Sequence, residues 1–342
     1  MTHDPLDRFT RTRSIIRTPK NGYRRVTNTY VIDFIYRVFR SIGLPILKLS
    51  LFPMLLWLAA KEFLQLGVLE KLGVTSSPDN IPKQILQFWG NVAVGIFIAL
   101  PLLLIAFAWI VSIANICVSD AISGRSQSES QISNRALRSL PKMLFAIFFL
   151  ELVSMSVELV GLFFAGLSVT LPGTVGVLFT WVGFTFIFIG LLWFVYFQIA
   201  GSMVPIISMN EGLSPFQSLK RSLELAKGIR GMGESPTSII LMFSIVQFFV
   251  YIALLVGLAL PFEFINIDSF LRSSIHDPQL LSIAVGVVAW LPKAFVYWII
   301  LPLQASGIVT IYYEARIRFE GLDIEILASQ MQQEGKDIGF IL

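Results

Sequence analysis

Glu151 and Glu158 lie inside one long apolar run and Lys293 inside another. A carboxylate or ammonium in the hydrocarbon of a membrane costs about 2.5–3.5 kcal/mol on insertion scales, so it needs a partner or a task. Seven residues separate the two glutamates, which puts them on one helix face. At 1.5 Å per residue, Glu151 falls roughly 15 Å into its run and Lys293 roughly 20 Å into its own from the opposite end. The spacing therefore predicts that both lie near the middle of the layer, where two chemistries are open. One is structural: a Glu151–Lys293 ion pair that fixes helix register, or a glutamate held protonated in the core. The other is a path that carries protons, an ion or a small solute. Gln198, Gln247 and Gln304 add polar atoms that would line such a path or bridge helices.

Other chemistries find no residues. The two histidines, His3 and His276, lie far apart in polar segments and give no zinc pattern. They are too few for a Ser/His/Asp or Cys/His set. A single cysteine, Cys117, forms no intramolecular disulfide. The glycine-rich stretch GIRGMGESP at 228–236 lacks the Gly-Lys-Ser/Thr ending of a phosphate loop. We expect no catalytic residues, no metal site, no cofactor and no enzymatic activity.

The elements that hold these residues follow from composition. Of 342 residues, 55% are hydrophobic and only 14% charged, against about 25% charged in soluble domains. Runs at approximately 43–64, 86–117, 142–170, 173–207, 238–262 and 280–311 are long enough to cross a bilayer, which takes about 20 apolar residues. The expected fold is all-α: a polytopic six-span helical bundle with amphipathic cytoplasmic helices. Prolines in or beside these runs, Pro205 among them, are expected to kink the spans. The polar N-terminal stretch is too long for a secretory signal. Twenty of the 26 Lys and Arg residues fall in the N-terminal arm, the loops 118–142 and 208–237, and the segment after 311. The positive-inside rule then places both termini and both basic loops in the cytoplasm. This distribution accounts for the basic balance without nucleic acid. Residues 1–25 read as a basic, disordered arm, 26–325 as the membrane domain and 326–342 as a cytoplasmic tail.

One loop holds a helix of the soluble kind. In EGLSPFQSLKRSLELAKG, residues 211–228, Ser214 and Gln217 form a capping-box pattern and Pro215 fits the first turn. Phe216, Leu219, Leu223 and Ala226 share a face, expected in the membrane interface or against span ends, with Lys220, Arg221 and Lys227 near headgroups. The pattern recurs at 128–140, where Ser128 and Gln131 match Ser214 and Gln217, and Arg135 matches Arg221. A third amphipathic stretch, 30–42, carries an Asp33–Arg37 pair at i,i+4. The chain thus reads as three units, each an amphipathic helix followed by a two-span hairpin. Each hairpin exits near an acid: Asp120, Glu211 or Glu314. A six-span bundle with basic loops of ordinary spacing is the plainer alternative.

The stretch GLSPFQSLKRSLELAKG resembles the signature after span four in the membrane domain of glycerophosphodiester phosphodiesterases. Related small bacterial inner-membrane proteins share it. The segment YYEARIRFEGLDIE, 312–325, is similar to an acid-x-Arg-x-Arg-x-Glu-Gly-x-Asp run of that family, with Glu314, Arg316, Arg318, Glu320, Gly321 and Asp323 at matching positions. The resemblance implies a bacterial inner-membrane location. It does not carry over hydrolysis, because the family's catalytic barrel takes about 250 residues and has no counterpart here.

Within the tail, Glu314 reaches Arg318 and Arg316 reaches Glu320 at i,i+4. A clasp is expected from Glu314 or Glu320 to Arg135 or Arg221. Headgroup or clasp candidates are thus Arg135, Arg138, Lys220, Arg221, Lys227, Glu314, Arg316, Arg318, Glu320 and Asp323. The leading expectation is an envelope protein that binds anionic lipid headgroups along its basic helices. The alternatives are a small-solute or ion transporter or channel using Glu151, Glu158 and Lys293, and a membrane subunit of an assembly with another enzyme.

Overall fold

The structure, a computed structural model, describes residues 28–64, 95–123, 125, 127–171, 173–227, 235–264 and 277–320. The arm at 1–25, the tail at 326–342 and Asp323 lie outside them. Eight α-helices carry the described chain: α1 Asn28–Leu64, α2 Leu100–Ser123, α3 Glu129–Thr170, α4 Gly173–Ala200, α5 Val204–Glu211, α6 Pro215–Lys227, α7 Pro236–Phe264 and α8 Pro278–Glu320. A π-helical turn, Gly95–Ala99, leads into α2. No strand occurs among the described residues. Six segments are long and apolar enough to span a membrane: Tyr30–Glu62, Phe97–Ser123, Glu129–Ser168, Gly173–Glu211, Pro236–Leu258 and Trp290–Glu320. The chain is an all-α, six-span membrane protein.

Two of the three amphipathic stretches are not separate helices. Residues 30–42 run without interruption into span one within α1, and 128–140 into span three within α3. Gly43, directly after the first stretch, keeps a helical rather than a left-handed conformation, and Pro45 and Pro141 are absorbed inside the helices. A proline removes one backbone bond, which a long helix tolerates when its other turns are well packed. The third stretch is a helix of its own, α6. Gly212 ends α5 at φ +72°, a conformation that needs glycine, and Ser214 then starts α6.

Span four is split. Gly201–Met203 form a turn between α4 and α5, and Pro205 stands in the first turn of α5. Without an N–H, Pro205 cannot bond back to Gly201, so α4 stops and a new helix begins.

Helix α8 is the centre of the bundle. It packs on α7, α1 and α2, and 67% of its spanning window is buried, against 17% for Gly173–Glu211. Tyr312 of α8, Ile110 of α2, Met143 and Ile147 of α3 and Phe243 of α7 belong to one buried cluster. The α3–α4 hairpin is joined by a glycine seam. Gly176, Gly183 and Gly190 recur every seven residues on the buried face of α4. A Cβ on Gly183 would stand 2.8 Å from the Ala165 nitrogen, so the seam closes only with glycine there. The outward faces of this hairpin carry exposed Phe163, Trp181, Phe184 and Phe188, as a lipid-facing surface requires.

Candidate functional site

The ionic side chains of the three hairpins gather at one end of the bundle. Both expected capping boxes are formed there. Ser128 Oγ accepts from Gln131 N at 3.4 Å, and Gln131 Oε1 accepts from Ser128 N at 3.1 Å. Ser214 and Gln217 repeat the exchange at 3.4 and 3.2 Å. Seven residues after each cap stands an arginine, and each meets the acid at the exit of the preceding span. Arg135 is 3.4 Å from Asp120, and Arg221 is 3.4 Å from Glu211. Two of the three units are thus geometrically alike at this end.

The residues just before the exit acids also meet. The Tyr313 hydroxyl accepts from Asn210 Nδ2 at 3.1 Å, and Ser119 lies beside the same hydroxyl. Asn210 and the buried Asn115 exchange amide hydrogen bonds of 2.9 and 3.1 Å. These asparagines, absent from the sequence-based candidates, are legible only as amides inside apolar helices, where an interhelical hydrogen bond is the usual use.

A clasp ties α8 to this end. Arg221 of α6 pairs with Glu320 of α8 and with Glu211 of α5. Arg316 bonds Glu320 at 2.9 Å and lies 3.9 Å from Glu211, which also accepts from the Tyr312 hydroxyl at 3.0 Å. Arg318 pairs with Glu314 as the i,i+4 spacing predicts. Of the expected clasp partners, Glu320 and Arg221 do meet. Arg135 does not reach Glu314 or Glu320, because Asp120 on the neighbouring helix end engages it first. Glu211 joins the clasp although the candidate set omitted it; its place at a hairpin exit was the available signal.

The clasp sorts the basic candidates. Arg221 is held between two carboxylates, as the clasp expectation requires. Lys220 and Lys227, on the same helix, are exposed, as is Arg138 on α3. Leu219, Leu225 and Ala226 face the bundle, which seats α6 against span ends. Phe216 does not join them and is 70% exposed, on the same helix as the lysines.

The intramembrane charges do not converge. Glu151 Oε2 accepts from Gln198 Nε2 at 2.9 Å and from Ser154 Oγ at 3.5 Å. Glu158 lies against Gly190 on the α3–α4 seam. Lys293 is exposed toward the opposite end of the bundle, one helical turn before Tyr297. There Tyr297 bonds Lys61 at 2.8 Å and Tyr251 at 3.1 Å. The expected Glu151–Lys293 pair is not formed. Glu151 shares a cavity with Gln304 of α8, and eleven residues, about 16 Å of helix, separate Gln304 from Lys293. A lysine side chain cannot cover that distance. Gln247 does bridge helices as expected, donating to the Ile300 carbonyl at 3.0 Å.

Among the described residues, no group of three His, Cys, Asp or Glu side chains is placed to hold a metal ion. Comparison with protein-family models, curated proteins and solved structures finds no match for this chain.

Proposed function

We propose that this protein is a non-enzymatic, multi-pass protein of the cell envelope that holds anionic lipid headgroups at its clasped end. The observation that carries this reading is the mounting of α6. Arg221 fixes the helix to α5 and α8, its apolar side rests on the bundle, and Lys220, Lys227 and Phe216 face outward. An exposed aromatic beside exposed ammonium groups suits the headgroup layer, where each basic residue contributes about 1 kcal/mol of attraction to an anionic surface. The excess of Lys and Arg on this side supports a cytoplasmic placement, and the resemblance of 212–228 and 312–325 supports a bacterial inner membrane.

The test is stabilisation by added lipid. Delipidated protein should gain thermal stability from phosphatidylglycerol and little from phosphatidylcholine. Replacing Lys220→Glu and Lys227→Glu together should remove that difference. An unchanged preference in the double variant would reject the reading.

A further inference from the structure

A cavity of about 170 Å³ opens where the split in span four meets spans two, three, five and six. Its polar lining is Glu151 of α3, Gln198 of α4, Ser202 of the Gly201–Met203 turn, Ser244 of α7 and Gln304 of α8. Gln304 is eight residues, about 12 Å of helix, from Tyr312 in the clasp, so the cavity lies well inside a hydrocarbon layer about 30 Å thick. We propose that this cavity binds one small monovalent cation, an alkali ion or a primary ammonium, with Glu151 as its counter-charge.

Three observations carry the assignment. First, Glu151 supplies the only formal charge among the lining side chains, and no basic group lines the cavity. Its two hydrogen bonds both go to Oε2, and Oε1 receives none from a described residue. A carboxylate in this setting calls for a cation. Second, Ser244 and Gln304 line the cavity, and neither side chain bonds to a described residue. Ser244 is exposed and Gln304 half-buried, so the hydroxyl and the amide are open to a ligand or water in the cavity. The set offers carboxylate, amide and hydroxyl oxygens, which are hard donors suited to an alkali ion and good acceptors for an ammonium. Third, the volume exceeds the roughly 30 Å³ share of one water several times over, so a cation fits with waters of its own.

The split helix permits this placement. Interrupted spans expose backbone and side chains at membrane depth only where they line a cavity. Here the C-terminal end of α4 and the N-terminal end of α5 meet, so their opposed dipoles offset each other. The sign of the charge preferred is then set by Glu151.

The experiment is equilibrium binding to the purified full chain in lipid nanodiscs, with ²²Na⁺, ⁸⁶Rb⁺ and ¹⁴C-methylammonium as probes and N-methyl-D-glucamine as the background cation. At least one probe should bind saturably, and N-methyl-D-glucamine should fail to displace it. Glu151→Gln should weaken binding at least tenfold. Gln304→Leu, which leaves the Glu151–Gln198 bond untouched, should weaken it several-fold and decides the matter if Glu151→Gln does not fold. The alkali and ammonium arms identify which cation is held. No saturable binding of any probe, as for a carboxyl that only exchanges a proton, would overturn the proposal. Unaltered affinity in a folded variant would do the same. The lysine pair Lys220→Glu and Lys227→Glu should leave cation binding intact, which separates this test from that of the headgroup reading.

Discussion

Replacing Arg221→Ala tests the clasp, and its magnitude follows from the surroundings. The Arg221 side chain is 29% exposed, and those of its partners Glu211 and Glu320 are 16% and 23% exposed. Breaking a fully buried pair by removing one partner destabilises by about 3–5 kcal/mol. An exposed pair contributes about 0–1 kcal/mol. This site lies between those limits, and Arg316 stays 2.9 Å from Glu320 and 3.9 Å from Glu211 after the change. Neither carboxylate is left without a cation, so we expect a loss of about 2 kcal/mol, or about 30-fold in the unfolding equilibrium. Cys117 supplies the assay. It is the single cysteine of the chain and is buried, so a thiol reagent labels it only after opening. Under conditions where labelling follows global opening, Arg221→Ala should label about 30-fold faster than the parent protein. Arg138→Ala, at an exposed site with no ion pair to a described residue, should stay within about 0.5 kcal/mol. In a double-mutant cycle, Arg221→Ala and Glu320→Gln should couple by about 1–2 kcal/mol. Labelling of Arg221→Ala within twofold of the parent would refute the clasp.

Two further substitutions have defined outcomes. Ser214→Ala removes the N-cap of α6 and should lower stability by about 1 kcal/mol in denaturant titration, while Ser214→Thr should retain most of it. Gly307→Ala would place a methyl group on the buried Phe243 ring, and overpacking of that kind should lower stability by about 1–3 kcal/mol. A Gly307→Ala protein as stable as the parent would show that α7 and α8 are less closely packed than described.

Local chemistry was the legible part. The capping boxes at Ser128 and Ser214 and the pairs Asp33–Arg37, Arg316–Glu320 and Glu314–Arg318 depend on spacings of three or four residues. Helical geometry converts those directly into contacts. Partners across helices were less legible. Spacing marks Arg135 and Arg221 as equivalent but says nothing of which helix end is adjacent, so it leaves open which of the two meets α8. The misplaced Glu151–Lys293 pair has a similar origin. Counting from the edges of apolar runs treats each edge as a membrane face, yet α3 and α8 run past the apolar runs that mark them. The split at Gly201–Met203 was visible only as Pro205, which signals a kink without saying that the helix restarts. The cavity needed three dimensions, because its polar groups come from distant parts of the chain.

The most direct test of the headgroup reading is a native mass spectrum of the full chain, released gently from detergent, beside that of the Lys220→Glu, Lys227→Glu variant. The account predicts an anionic lipid retained at fixed stoichiometry by the parent protein and lost from the variant. A parent protein that flies bare, or a variant that keeps the same lipid, would contradict it.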